Sequence, residues 1–264
     1  MSKTIYSFLS GILIGTCMIL PGVSGSVIAI TLGVYEEIIF LLNSKEKNII
    51  KIRKILPLAI GILIGIFIFG KILLVFYNKY TFYIMYIFIG LILGSIPILV
   101  NEIKEKQDKI NIKYVIISFI ISVTIFILPK IFNINITDSN NKFKLFIGGF
   151  LYIAGKIIPG ISSSFFLMIL GLYDYILTII TNPLNITIKI IPFIIGAILG
   201  LYIFIKLLNY LLKRHFSKTY SAIIGFIIGS VFAIFPGFKL NVKCIVSLLL
   251  MITSYELVNK LSKK

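Results

Sequence analysis

The stretch Leu20-Pro21-Gly22-Val23-Ser24-Gly25-Ser26 interrupts a long apolar run, and Ile158-Pro159-Gly160-Ile161-Ser162-Ser163-Ser164 interrupts another. Proline cannot continue a helix from the preceding turn, and glycine permits backbone conformations that other residues avoid. Hydrocarbon offers no water to a broken backbone, so such a break is tolerated only inside protein or beside a watery cavity. Two copies of a costly feature imply that they hold something.

The surrounding chain is apolar throughout. Of its 264 residues, 59% are hydrophobic, with a mean hydropathy of +1.08, well above a soluble domain. Several runs exceed the roughly 18 apolar residues that mark a spanning helix. The expected fold class is an all-α polytopic membrane protein. Met1 to Leu20 superficially resembles a signal peptide, yet apolar character resumes directly after Ser26, so the segment is read as retained. Cys17 and Cys244 both lie in apolar segments and imply neither a disulfide framework nor a metal site. The net charge of +17 does not point to nucleic acid, because most Lys and Arg residues fall between apolar runs, where they set topology and attract anionic head groups.

The sequence then repeats itself. FLSGILIGTCMILPGVSGSVIAITLGVYEEII from Phe8 lines up with FIGGFLYIAGKIIPGISSSFFLMILGLYDYIL from Phe146. Gly11, Pro21, Gly22, Ser24, Ser26, Gly33 and Tyr35 fall on Gly149, Pro159, Gly160, Ser162, Ser164, Gly171 and Tyr173; Glu36 falls on Asp174. Later, Pro57, Gly61, Gly65 and Lys71 match Pro192, Gly196, Gly200 and Lys206, and Gly90, Gly94 and Ser95 match Gly225, Gly229 and Ser230. Asn111-Ile112-Lys113 matches Asn241-Val242-Lys243. The first repeat is placed at 1–132, with a hairpin at 5–42 and spans at 55–77, 82–100 and 114–128. The second is placed at 139–264, with a hairpin at 145–180 and spans at 191–212, 219–235 and 244–259.

A hairpin returns to its own side and three spans cross, so the second half is expected upside down relative to the first. The basic residues agree with that topology. One side holds the N-terminus, the 43–54, 101–113 and 209–218 loops and the C-terminus, with sixteen of the 26 Lys and Arg residues. The other side holds seven, and Lys71, Lys156 and Lys206 lie inside apolar segments. Both termini are therefore expected in the cytoplasm. Each hairpin arm, about 16 residues or near 24 Å as helix, falls short of the roughly 30 Å hydrocarbon core, so the hairpins are expected to be re-entrant. Inverted repeats with broken helices are an architecture of secondary transporters.

After each Pro-Gly break a helix is expected to restart near Ser24–Ser26 or Ser162–Ser164. Its free N–H groups and serine hydroxyls would suit an anion, and two such tips are able to enclose one phosphate; the bland alternative is a packed break with an N-cap serine. The candidate site comprises Pro21, Gly22, Val23, Ser24, Gly25 and Ser26 with Pro159, Gly160, Ile161, Ser162, Ser163 and Ser164. Lys156, three residues before Pro159, has no acidic neighbour in sequence, and Met18 takes its place in the first half. An intramembrane lysine is normally paired or in a cavity, which makes it a phosphate partner; the bland alternative is snorkelling to an interface, which a hairpin tip allows only if it reaches the far surface. Lys71 and Lys206 are read as snorkelling to an interface. Glu36, Glu37 and Asp174 are either interfacial anchors beside Tyr35 and Tyr173 or protonatable groups flanking the site. The small-xxx-small pairs Gly11/Gly15, Gly61/Gly65, Gly90/Gly94, Gly196/Gly200 and Gly225/Gly229 read as close helix contacts. Arg53, Arg214 and His215 read as loop residues.

The motifs PGVSGS–x6–GVYE and PGISSS–x6–GLYD resemble the bacterial and archaeal polyprenyl-phosphate transporter family, of PopT type, formerly a domain of unknown function. The resemblance covers essentially the whole chain. It implies a translocase that returns undecaprenyl phosphate to the cytoplasmic leaflet for cell-envelope synthesis, with no cofactor and with the lipid and the bilayer as partners. Two positions depart from the expected pattern: Ser163 replaces a glycine, and Lys156 an uncharged residue. Two rivals stand beside this reading. An intramembrane polyprenyl-pyrophosphate phosphatase would need cationic ligands and a general base near the breaks, whereas both arginines and the histidine are placed in loops. An ion channel would use GVSGS as a filter, but filters repeat around a symmetric pore. The oligomeric state is left open.

Overall fold

The computed structural model describes residues 3–18, 25–43, 48–132, 141–161, 163–173, 175–176, 179, 188–238 and 242–262. Among these the chain is helical and without strands. Helix α1 (Lys3–Cys17) leads to the first break. Beyond it come α2 (Gly25–Thr31), α3 (Tyr35–Asn43) and α4 (Asn48–Ile64), then a π turn (Gly65–Phe69), α5 (Gly70–Glu105) and α6 (Ile112–Phe132). The second half contains α7 (Lys142–Ile157), α8 (Ser163–Ile169), α9 (Ile191–Arg214), α10 (Phe216–Ile234) and α11 (Val242–Ser262).

Among the described residues, four segments are long and apolar enough to cross a bilayer: Ile52–Phe69, Lys79–Glu105, Ile188–Arg214 and Val242–Lys260. The bent pair α2 and α3 makes a fifth if counted as one broken span, while Ile112–Ile127 and Phe216–Phe232 are shorter apolar helices. Ile198, Leu249 and Phe67 point outward and are more than half exposed. In a soluble protein such side chains would be buried; here they are the face offered to hydrocarbon.

Glycines set which helices touch. A Cβ on Gly11, Gly15, Gly61 or Gly65 would collide with backbone of the facing helix, so α1 and α4 lie against each other almost without side chains between them. Gly149, Gly196 and Gly200 bring α7 and α9 together in the same way. These contacts stay within one half, whereas the next pair crosses between halves. Gly90 and Gly94 on α5 admit Met251, Ser254 and Val258 of α11, and Gly225 and Gly229 on α10 admit Val115, Ser118 and Ser122 of α6. Small residues permit this approach, and hydroxyls hold it: Ser254 donates to the Ile87 carbonyl (3.0 Å) and Ser122 to that of Phe226 (3.3 Å).

Backbone irregularities recur at matched positions. Gly33 (φ +66°) and Gly171 (φ +58°) both occupy the left-handed region. In the first half Gly33 N–H donates to the Ile30 carbonyl and Val34 N–H to that of Ala29, a Schellman ending for α2. Leu172 N–H makes the same six-to-one bond to Leu167 after α8. Tyr80 (φ −129°, ψ 35°) kinks α5, and His215, its counterpart, separates α9 from α10 at φ −134°, ψ 46°.

Four expectations are corrected. The outgoing hairpin arm in the first half is not one helix of about 16 residues: it turns by 107° between α2 and α3, because the left-handed Gly33 ends α2. Arg53 is helical, since α4 already begins at Asn48 within the basic 43–54 stretch. Arg214 is the last residue of α9, and the 209–218 loop reduces to the single turn at His215. Finally, Ser118 and Ser254 take equivalent places against Gly225 and Gly90, so the last spans do not pair in the register implied by Asn111-Ile112-Lys113.

Substitution should separate the two glycine roles. Gly61→Val forces α1 and α4 apart and is expected to destabilise by about 1–3 kcal/mol. Gly33→Ala meets nothing within 4 Å and should lose only the roughly 1 kcal/mol of left-handed backbone strain. Thermal unfolding of the two variants in detergent gives the order.

Candidate functional site

Of the site residues read from sequence, Pro21, Gly22, Val23, Ser24, Ser162 and Asp174 lie outside the described residues, and Ser164 is described by its backbone alone. The second break is the better defined. Helix α7 ends at Ile157, and Ile158 turns extended (φ −79°, ψ 116°) while its N–H still reaches the Ala154 carbonyl at 2.8 Å. Pro159 follows, and Gly160 turns left-handed at φ +83°. Any Cβ there would press on Phe226 and Ile227 of α10, at 2.6 Å from the Ile227 nitrogen. Pro159, Gly160, Ile161 and Ser163 are all buried. The break is therefore enclosed by protein, which satisfies the condition for an irregular backbone in an apolar chain.

The last carbonyl of α7 is claimed from the other half. Tyr35, at the start of α3 and buried, donates its hydroxyl to the Ile157 carbonyl oxygen at 2.9 Å. The first hairpin closes on itself nearby, where the Tyr6 hydroxyl near the start of α1 donates to the Leu32 carbonyl after α2 (2.5 Å). Both arms of that hairpin thus begin and end together.

Lys156 sits in the last turn of α7, half-buried, with its ammonium 5.3 Å from the centre of the Tyr152 ring. The ion pair found among the described residues is instead Lys3–Glu37 (2.9 Å). A cation at a helix C-terminus is favoured by the free carbonyls there, which accounts for part of its placement. In the first half the equivalent Met18 rests against Gly25, where a Cβ would come within 2.5 Å of the Met18 side chain. The matched pair in the second half is Lys156 and Ser163. An ammonium and a hydroxyl so replace a thioether and a bare glycine. Helices α2 and α8 are only seven residues long, so their dipoles add less to a site here than a full helix would. Gly25 and Ser26, at the start of α2, are buried.

A second polar cluster was not legible as a unit. Glu36 accepts a hydrogen bond from the Tyr220 hydroxyl across 184 positions of sequence. Glu102, near the end of α5, joins them around a cavity of about 100 Å³ that Gly33 and Tyr35 also line. The sequence singles out Glu36 but neither Tyr220, which lies in an apolar run, nor Glu102, which lies in a stretch that reads as a charged loop. Lys206 bonds to the Tyr202 hydroxyl four residues before it and is exposed, as a snorkelling lysine is. Among the described residues no group of three His, Cys, Asp or Glu is placed to hold a metal.

Residues 43–247 match the VCA0040-like, undecaprenyl phosphate translocase-like family. The chain belongs to that family. It is 28% identical over 250 residues to the polyprenyl-phosphate transporter of Staphylococcus aureus (strain NCTC 8325 / PS 47), covering 89% of this chain and 88% of the relative. It is 27% identical over 246 residues to the polyprenyl-phosphate transporter of Vibrio cholerae serotype O1 (strain ATCC 39315 / El Tor Inaba N16961), covering 87% and 77%. No solved structure matches the chain. In this family member the second break is locked by a tyrosine from the other half, and that lock is open to test. Tyr35→Phe leaves the Ile157 carbonyl buried without its donor and should destabilise by about 1–3 kcal/mol. Hydrogen exchange is expected to rise at 154–161 rather than uniformly; an unchanged profile would remove the tie.

Proposed function

We propose that the protein carries a polyprenyl phosphate, with undecaprenyl phosphate as the natural case, from the outer to the cytoplasmic leaflet for reuse in envelope synthesis. The observation that carries this reading is Lys156 beside the enclosed second break. It is a cation held against an aromatic ring, next to a buried glycine and serine, in a chain whose relatives are named polyprenyl-phosphate transporters. The head group would sit between the two breaks: Pro21 to Ser26 on one side, Pro159 to Ser164 and Lys156 on the other. The apolar outer faces leave the prenyl chain in hydrocarbon.

The matched bends at Gly33 and Gly171 and the matched kinks at Tyr80 and His215 support two structural repeats. With the basic residues on one side, they support an inverted arrangement with re-entrant hairpins and both termini in the cytoplasm. The repeats give the carrier two related halves that are able to open alternately. We read the chain as a carrier and not a phosphatase, since in the sequence the two breaks carry one lysine, Lys156, while both arginines and the histidine lie away from them.

Moving an anion toward a negative cytoplasm is opposed by roughly 2.3 kcal/mol per charge per 100 mV. A proton carried with the phosphate offsets that. Glu37 is engaged by Lys3, so Glu36, held by Tyr220 and facing Glu102, is the better proton carrier in the first half, with Asp174 its counterpart in the second.

Surface display of the carrier phosphate in cells tests both parts. Losing a charged contact to phosphate is worth about 1.5–3 kcal/mol, so Lys156→Ala is expected to slow recycling by roughly tenfold or more, with Lys156→Arg closer to the native protein. Display should also rise in the Glu36→Gln, Asp174→Asn double variant. Native recycling by Lys156→Ala would sink the head-group site, and native recycling by the double variant would remove the proton role.

A further inference from the structure

Two cavities meet at the turn between α9 and α10. The first is a groove of about 290 Å³, walled by Phe204, Leu208, Leu211, Ile223 and Phe226 and floored by Ile158, the residue before Pro159. It runs along α10 from Phe226, at the level of the second break, to Lys218 and the turn at His215, about two to three helical turns or roughly 12–17 Å. The second, about 480 Å³, opens at its end and is polar, with Lys109, Arg214 and Lys218 against a single carboxylate, Asp108. His215 and Lys218 line both.

The basic cavity is tied together across the halves. Ser217 donates its hydroxyl to the Lys109 carbonyl, and the Asn111 N–H donates to the Ser221 hydroxyl oxygen at 2.9 Å. The 106–111 turn is thereby fastened to the start of α10. Asp108 also accepts from the neighbouring Lys109 N–H (2.9 Å), and three cations against this one carboxylate leave an excess of two positive charges.

We propose that this end of the molecule is a second station for the carried lipid, distinct from the breaks. The phosphate of a polyprenyl phosphate sits among Lys109, Arg214 and Lys218, and its first isoprene units lie in the groove. The identity of the lipid rests on the function proposed above; the shape and charge of the station do not. A phosphate would lose its hydration in the apolar groove without compensation, so the groove takes chain and the basic cavity takes the head. Because the groove ends at Ile158, the chain of a lipid held there still reaches the second break. That continuity favours the carried lipid over bulk anionic phospholipid, and the cations would draw the phosphate out of the breaks at the end of transit.

The chain has no tryptophan, so Leu207→Trp in the groove wall gives a single reporter. In phosphatidylcholine nanodiscs, added undecaprenyl phosphate should shift its fluorescence to the blue saturably. Arg214→Gln with Lys218→Gln should weaken that response about tenfold or more, while Lys156→Ala leaves the shift in place. The uncharged polyprenol and phosphatidylglycerol at equal mole fraction should give little shift. An equal response to polyprenol or to phosphatidylglycerol, or no effect of the paired substitutions, overturns the station. Translocation measured on the same samples separates the two claims. Transport without a shift leaves the carrier and removes the station, and a saturable shift without transport by the native chain does the reverse.

Discussion

The hydrogen bond from Tyr35 to the Ile157 carbonyl joins the turn of the first hairpin to the break of the second. Its importance follows from the solvent. A carbonyl released at the end of a helix would find water in a soluble protein, but hydrocarbon supplies none. Three interruptions among the described residues are answered from within: Ile157 by Tyr35, the end of α2 by the Gly33 turn, and Leu32 by Tyr6. At the second break the completing donor comes from the other half.

The helices that surround the breaks obey a second condition. Apolar side chains gain nothing by leaving lipid for one another, so close backbone approach and hydroxyl bonds decide which helices meet. Gly11, Gly15, Gly61 and Gly65 bind α1 to α4, and Gly90 binds α5 to the last helix of the other half. The same device then encloses a polar centre. Gly160 lies so close to α10 that no side chain fits between them, with Lys156 in the last turn of α7 before it and the buried Ser163 at the start of α8 after it.

Much of this could be read from the residues. Pro159-Gly160 marks the break in the sequence, because proline and glycine act through local backbone geometry. Family membership was legible for the same reason: the double motif is local. The helix bend at Gly33 was missed, since an apolar run continues through it and periodicity is blind to one left-handed residue. The charged stretches near Arg53 and Arg214 were taken for loops, yet helices extend into them because lysine and arginine are good helix formers at an interface. Tyr220 and Glu102 were out of reach altogether: their meeting with Glu36 depends on α5 and α10 packing beside the first hairpin, and no spacing in the sequence encodes it.

The function proposed for this chain is to move a lipid phosphate between leaflets. Purified protein in proteoliposomes loaded with undecaprenyl phosphate, read by an impermeant reagent that modifies only outward phosphate, tests it directly. The inner pool is expected to become accessible in protein-containing vesicles and to stay protected in empty ones, with no phosphate released and no ionic current. Equal protection with and without the protein would contradict it.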